Sequence, residues 1–370
     1  MNQFNRFNLP LCLVVEDGVF NRVDETVGAY IPGIRDKKTL IVTEQFLFDT
    51  YQDYINEMIS DFGGADVFLV KAASYDVAAT LAKKISMENI AVVIGFGGGR
   101  VLDTTKYAAF ISKAVYICLP TTLSNDSLSS PFAVLEMEGM SRKTLGCKIP
   151  AAILIDPEMI AKAPVSQTLS GIGDTISKHT ALFDWQLSAQ ESGVPVNDFA
   201  YAISRMAYDS VYHCDNKNIK SRSFIRILSR ALVMGGLAME IAGSSRPASG
   251  SEHLFAHAIE EYYPDIKISH GTAVALGSIG ACIFQGRDET QLVSVCRQYG
   301  IDTDPTAYGI TKDIFADAWT KAPGTRKDRF TILSTMTADR EWLDMIYDRM
   351  GDKSDKVYQL GLKQQTRGNA

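Results

Sequence analysis

No stretch of about 18 consecutive apolar residues occurs in this 370-residue chain, so the sequence offers no transmembrane helix. Positive charge is not in excess either. Lysine and arginine number 37 against 43 aspartates and glutamates, a net charge of -6, which speaks against a broad basic face for nucleic acid. The polar start to Pro10 leads into Leu11-Cys12-Leu13-Val14-Val15, a run too short and too poor in positive charge for a secretory signal. The six cysteines (Cys12, Cys118, Cys147, Cys214, Cys282 and Cys296) form no CxxC pair and sit singly, mostly in apolar surroundings. That is how buried free thiols of a reducing compartment are distributed, and the expectation is a cytoplasmic protein. Internal repeats and low-complexity tracts are lacking. What remains is 46% hydrophobic and 22% charged residues, a globular composition on a chain long enough for two domains.

The first part alternates strands and helices. Continuous apolar runs of strand length occur at 39–43, 67–70, 91–94, 115–119 and 151–155, as expected of strands covered on both faces. Helix-like stretches such as 46–62 and 76–87 lie between them, and together they predict an open, mainly parallel sheet. From about Val165 the pattern predicts helices alone, at 197–214, 219–242, 249–262, 272–285, 289–299, 312–321, 326–336 and 338–350, with Asn197 and Asp288 as starting caps and Gly300 as a stop. The tail to Ala370 is polar and expected to be loose. The expected architecture is α/β plus all-α: a Rossmann-like parallel-sheet domain over 1–160 and a helical domain over 161–370.

The strongest local signal is Ile94-Gly95-Phe96-Gly97-Gly98-Gly99-Arg100-Val101-Leu102-Asp103, a buried strand entering a glycine-rich turn and then a helix. Glycines let a backbone approach an anion, and the helix N-terminus presents free N–H groups and a positive dipole end, which suits a pyrophosphate. The run is neither G-x-G-x-x-G, since Arg100 stands at the third glycine, nor a P-loop. The strand over 115–119 ends in Pro120-Thr121-Thr122-Leu123-Ser124-Asn125-Asp126-Ser127-Leu128-Ser129-Ser130-Pro131, a hydroxyl-rich loop at a strand's carboxyl end, where ligands of open α/β sheets bind. Its hydroxyl side chains, Thr122 among them, are candidates for such contacts. Glu44 closes the strand over 39–43 and is placed to accept ribose hydroxyls, which would repel a 2′-phosphate.

Only five histidines occur, and three of them, His253, His257 and His270, fall within eighteen residues. His253 and His257 stand at i and i+4, on one face of a helix, and His270 opens the next helical segment. Upstream, Gly171-Ile172-Gly173-Asp174 places an acid where a helix is expected to begin. One aspartate and two or three histidines suit a divalent cation with a position open to substrate. His213 reads as structural, without a partner acid nearby. His179 is expected on Asp174's helix but off its face, and is also structural.

Taken together, Gly97-Gly98-Gly99-Arg100-Val101-Leu102-Asp103, Pro120-Thr121 through Pro131, Gly171-Ile172-Gly173-Asp174, Ser249-Gly250-Ser251-Glu252-His253-Leu254-Phe255 with His257, and His270-Gly271 resemble the sn-glycerol-1-phosphate dehydrogenase family, within the superfamily of iron-dependent alcohol dehydrogenases, glycerol dehydrogenases and dehydroquinate synthases. The motifs run from near residue 40 to near 280 in the family's order. The resemblance implies that residues 97–103, Thr121, Ser124 and Ser130 bind NAD or NADP. Asp174, His253 and His270 would hold one divalent metal, zinc, nickel or iron, while Asp126, Asp174 and His257 contact a phosphorylated substrate. It implies a homodimer or higher homo-oligomer as well. The implied reaction is reduction of dihydroxyacetone phosphate to sn-glycerol 1-phosphate, the metal polarising the carbonyl and His257 or water relaying a proton. Asn125 replaces a histidine common in the family and Thr272 a glutamate, both toward the substrate side. A dehydroquinate synthase-type cyclase and a dehydrogenase of glycerol or another alcohol are the alternatives. The phosphate needs a cation, for which Arg142, Lys143 and Lys148 are candidates.

Overall fold

The computed structural model describes residues 7–138 and 140–351. The tail expected to be loose lies beyond residue 351, outside the described residues. The chain divides into two compact units: one runs up to Thr168 and takes in Lys220–Gly243, and the other comprises Leu169–Ile219 and the chain from Ser244 onward. The linear division expected at residue 160 has no counterpart for Lys220–Gly243.

The first unit opens with β1 (Cys12–Val15), α1 (Val23–Gly28), β2 (Thr39–Thr43), α2 (Gln45–Thr50), α3 (Gln52–Asp61) and β3 (Asp66–Leu69). It continues with α4 (Tyr75–Met87), β4 (Val92–Gly97), α5 (Gly99–Ser112), β5 (Val115–Pro120), β6 (Phe132–Met137), β7 (Met140–Gly146), β8 (Ala152–Ile155) and α6 (Pro157–Ala161). Six strands form one parallel sheet in the order β1-β8-β5-β4-β2-β3. β2, β4 and β8 are buried along their whole length, which is why they read as unbroken apolar runs. Ile41, Ile94, Phe96, Ile117 and Leu154 pack into one core with Phe20 and Met58.

The chain goes outward from β2 to β3 and then returns to place β4 on the other side of β2. The carboxyl ends of β2 and β4 therefore flank the switch point of the sheet, the usual ligand crevice of such folds. Glu44 follows one of these strands and Gly97–Gly99 ends the other.

Within the sheet unit three elements depart from expectation. The helix expected over 46–62 is two helices, broken at Tyr51, whose ring packs edge-on against Phe96 at 6.2 Å. β1 and the antiparallel hairpin β6–β7 lie outside the strands expected. β1 is a four-residue edge strand, and β6 alternates buried and exposed positions. The hairpin is fastened to α5, because buried Lys106 donates to the Phe132 carbonyl at 2.6 Å and Asp103 accepts from the Val134 N–H at 3.2 Å.

α7 (Val165–Ile176) enters the second unit from Leu169 onward and is followed by α8 (Lys178–Ser192) and α9 (Asp198–Tyr212). α10 (Arg222–Ala242) belongs to the first unit, where its Leu232 and Val233 carbonyls accept from the Ser129 hydroxyl at 3.2 and 3.3 Å. The second unit resumes with α11 (Ser251–Tyr262), α12 (His270–Phe284), α13 (Thr290–Tyr299), α14 (Lys312–Thr325) and α15 (Arg340–Gly351). No strand occurs there among the described residues. Asn197 caps α9, and Gly300 ends α13 with φ +90°, as the sequence pattern led one to expect.

Asp174 lies in the last turn of α7, not at a helix start. Since α8 begins at Lys178, His179 belongs to the following helix and not to that of Asp174. The segment 326–336, expected to be helical, holds only a 3-10 turn at Ile332–Ser334. Its backbone is spent on tertiary partners instead: the Phe330 carbonyl accepts from Arg246 at 2.8 Å, and the Ile332 N–H donates to Asp184 at 2.9 Å. All six cysteines are free, and no described helix is long and apolar enough to cross a membrane.

Candidate active site

Asp174, His253 and His270 each offer one ligand atom, and these atoms all lie within 4.8 Å of one another. His253 Nε2 stands 3.6 Å from Asp174 Oδ1. Two ligands of one tetrahedral cation, at bonds of about 2.0–2.1 Å, would stand about 3.4 Å apart. The set could therefore hold a divalent ion with little adjustment.

Residues eighty positions apart meet because α7 and α12 cross almost backbone to backbone. A Cβ on Gly173 would fall 2.7 Å from the Gly271 carbonyl carbon, and one on Gly271 would fall 2.9 Å from the Ser170 Cα. Only glycines allow this approach, and they directly adjoin Asp174 and His270 in sequence. The Gly271 N–H also donates to Ser170 Oγ at 3.1 Å, fixing the register of the crossing.

Each of these two histidines is held from behind by a carboxylate. His253 Nδ1 pairs with Glu252 Oε1 and His270 Nδ1 with Glu260 Oε1, both at 2.8 Å. An N–H donated from Nδ1 leaves the Nε2 lone pair for a cation, the usual carboxylate–histidine–metal arrangement. Glu252 is fully buried, and it accepts in addition from the Gly250 N–H at 2.6 Å and the Thr180 hydroxyl at 2.8 Å. Burial alone would depress His253, but Asp174 and Glu252 on its two nitrogens lift it to about 9. Burial would likewise raise Asp174, yet buried Lys178 and the two imidazoles hold it below the ordinary carboxylate range. Glu252, Glu260 and Lys178 were given no role from the sequence; the one signal was an acid directly before His253.

His257 completes the histidine face, its ring centroid 6.2 Å from that of His253 and 6.0 Å from that of His270. Burial, then the neighbouring charge of His270, keeps it well below its usual value and therefore neutral.

The dinucleotide candidates belong to the first unit. Gly98 caps α5, and a methyl there would press on Thr122 Oγ1 at 3.1 Å, so the glycine turn and the hydroxyl loop lie against each other. Thr122 Oγ1 is buried and lacks a hydrogen-bond partner, as a group awaiting a ligand would be. Gly99 faces Ser124 and Asn125, and Asn125 itself caps the 3-10 turn Asp126–Leu128 by accepting from the Ser127 N–H at 3.0 Å. Thr121 and Ser130 are buried in the same loop, with the Ser130 hydroxyl donating to the Phe132 carbonyl at 3.1 Å. Val101 and Leu102 are core side chains, and Asp103 is buried against Lys106 at 3.1 Å, so at these three positions only the backbone faces outward chemistry. Glu44 meets Arg100 at 3.4 Å across the switch point.

His213 is exposed and does have an acid nearby, Asp209, at 3.7 Å. His179 stacks on Tyr212 at 6.0 Å beneath Arg287. Burial and then the Arg287 charge push it down to about 3. The unfolded chain takes up this proton near 6.5, which the folded chain refuses until about pH 3, so stability falls as pH drops through that window. Replacing His179 with glutamine is expected to flatten the acid limb of a thermal-denaturation profile. Asp184, raised to about 6 by burial, acts in the opposite sense between about pH 4 and 6 in both proteins and cancels in the comparison. An unchanged acid limb would refute the assignment.

The family described as iron-containing alcohol dehydrogenase matches residues 14–164. Glycerol-1-phosphate dehydrogenase (NAD(P)+) of Sulfurisphaera tokodaii is 38% identical over 80% of this chain and 83% of its own length. That of Aeropyrum pernix is 31% identical over 94% of this chain and 98% of its own. Among solved structures, glycerol dehydrogenase from Schizosaccharomyces pombe matches with a TM-score of 0.77 at 20% identity, over 96% of this chain and 93% of that one. Sulfoacetaldehyde reductase from Bifidobacterium kashiwanohense, in complex with NAD+, matches at 0.69 and 16% identity, over 94% of this chain and 99% of that one. The relatives matched over most of their length make the chain an NAD(P)-dependent dehydrogenase, and a metal is supported by the family. Within that class, the chain belongs to the glycerol-1-phosphate dehydrogenase family.

Proposed function

We propose that the enzyme reduces dihydroxyacetone phosphate to sn-glycerol 1-phosphate, with a divalent ion on Asp174, His253 and His270 and NAD(P)H on the Gly97–Gly99 turn. The observation that carries this reading is the convergence of those three ligand atoms within 4.8 Å, backed by Glu252 and Glu260. The substrate follows from the relatives' names. Two imidazoles and one carboxylate suit zinc first, with nickel and iron compatible.

When bound, the ion supplies Lewis acidity toward a carbonyl oxygen and the reduced nicotinamide supplies hydride. The chain's own residues do the rest. Glu252 and Glu260 fix the tautomers of His253 and His270 and hold both rings in place. His257, kept neutral, accepts or donates a hydrogen bond at the substrate without adding charge. The N-terminus of α5 and the Thr122 hydroxyl offer donors to the dinucleotide phosphates. Glu44 suits the ribose hydroxyls of NAD, while Arg100, paired with it, offsets the repulsion of a 2′-phosphate, so both cofactors fit. Asp126 is the remaining substrate candidate, from the hydroxyl loop. A cytoplasmic homo-oligomer acting on a small phosphorylated molecule completes the reading, and the free cysteines support a reducing compartment.

Zinc-reconstituted protein is expected to consume NADH or NADPH with dihydroxyacetone phosphate, followed by nicotinamide absorbance, and to stop on chelation. Consumption with unphosphorylated dihydroxyacetone alone, or no net consumption at all, would overturn the proposal.

A further inference from the structure

α11 carries His253 and His257, and Gly250, the residue before it, has no side chain to offer its first N–H groups. The partners come from α8 instead. Asp184, 1% exposed, accepts from the Ser251 N–H through Oδ2 at 2.7 Å. Thr180 stands one turn earlier on the same face of α8. Its hydroxyl lies 2.8 Å from Glu252 Oε2 and 3.0 Å from the Ser177 carbonyl. Between these two residues α8 comes close to the backbone of Gly250: a Cβ there would fall 3.0 Å from the Ala181 Cα and 2.6 Å from Asp184 Oδ2. α12 makes a second close approach, since a Cβ on Gly277 would fall 2.6 Å from the Glu252 carbonyl oxygen. The first turn of α11 is thus seated on two helices at Gly250 and Glu252, directly before His253.

We propose that Asp184, helped by Thr180, is a positioning residue of the metal site: it holds the first turn of α11 so that His253 presents Nε2 toward Asp174 and His270. This rests on the metal reading proposed above. A carboxylate inside a protein is costly unless donors match its oxygens. Both oxygens of Asp184 are matched, Oδ2 by Ser251 and Oδ1 by the Ile332 N–H at 2.9 Å. The chain of contacts from Asp184 to the ligand atoms is short. Asp184 holds the Ser251 N–H, the next residue Glu252 holds His253 Nδ1 at 2.8 Å, and His253 Nε2 stands 3.6 Å from Asp174 Oδ1. Glu252 is fully buried with both carboxylate oxygens bonded, so it has no slack to absorb a shift at Ser251, and the shift reaches the imidazole. Outer partners act on a metal in this way, by fixing where its ligands point. The Oδ1 bond serves a different purpose: with Arg246, which donates to the Phe330 carbonyl at 2.8 Å, it fastens residues 330–332.

The test is titration of the metal-free, full-length protein with cobalt(II), followed by the d–d absorption of the bound ion. Asp184→Asn keeps the size of the side chain but only one acceptor oxygen. It is expected to weaken cobalt binding about 10-fold, the lower end of the losses that changes to outer partners of a metal cause, and to shift the absorption bands. Loss of stability alone would leave the spectrum of the folded protein unaltered. Arg246→Gln serves as the comparison, because it loosens residues 330–332 at the Phe330 carbonyl and leaves the bond from Asp184 to Ser251 in place. It is expected to bind cobalt with the affinity and spectrum of the wild type. Wild-type affinity and spectrum in Asp184→Asn, or an equal change in Arg246→Gln, overturns the proposal. If Asp184→Asn does not fold, Thr180→Val, which removes only the hydroxyl, is judged by the same two criteria. A wild type that takes up no cobalt removes the metal reading and this proposal with it. Uptake by the wild type with an indifferent Asp184→Asn removes this proposal alone.

Discussion

Asp174→Ala is expected to leave the purified protein without its metal and without measurable turnover, while NADH still binds. Asp174 is the one carboxylate of the set and sits 3.6 Å from His253 Nε2, buried with Lys178. Removing it deletes a ligand and also strips two buried cations of their counter-charge. Loss of an outer partner such as Glu252 or Glu260 typically costs about 10–100-fold in metal affinity, so loss of a ligand itself should exceed 100-fold. Glu260→Gln is therefore expected to give an intermediate, metal-rescuable enzyme and Asp174→Ala one that added metal does not rescue. Elemental analysis and NADH fluorescence titration read the two effects separately. A variant of Asp174 that retains stoichiometric metal and full activity would end the metal assignment.

Alanine at Gly271 or Gly173 is expected to be as damaging, for a reason that involves no chemistry. In a helix, Gly→Ala gains about 1 kcal/mol of propensity. Here the added methyl meets backbone rather than a yielding side chain: Ser170 in one case, Gly271 in the other. Overpacking of that kind costs about 1–3 kcal/mol and more when the backbone must move, so the net effect is destabilising. Pushing α7 away from α12 also carries Asp174 away from His270. Urea denaturation should show lost stability, and metal content should fall even in the fraction that remains folded. A variant with wild-type stability and metal would show that the two helices are not in this close contact.

The glycine-rich turn was readable because each of its parts is local. A fully buried parallel strand must be apolar throughout, so β4 announces itself, and the glycines that follow are demanded by the turn beside Thr122. The pair His253 and His257 was readable for the same reason, since i and i+4 share a helix face whatever surrounds it. Asp174 was found as a residue but misplaced within its helix, because no breaker stands between it and His179: Ser177, where α7 gives way to α8, keeps helical dihedrals and its hydroxyl donates to the Asp174 carbonyl at 2.8 Å. The segment 326–336 carries the apolar content of a helix. Its carbonyls and N–H groups go to Arg246 and Asp184 instead, partners that periodicity does not reveal. α10 has an unremarkable amphipathic pattern that does not say which unit it joins; the Ser129 hydroxyl on its carbonyls ties it to the first.

Spacing along the chain was enough to read the two kinds of architecture, the glycine turn and the candidate metal and cofactor residues, because spacing along a strand or helix fixes which side chains share a face. Only the three-dimensional arrangement brings Asp174 beside His270 and sets Glu252 and Glu260 against the imidazoles. These depend on how closely two backbones approach and on where buried charge finds its partner, and neither quantity is written in the order of the residues.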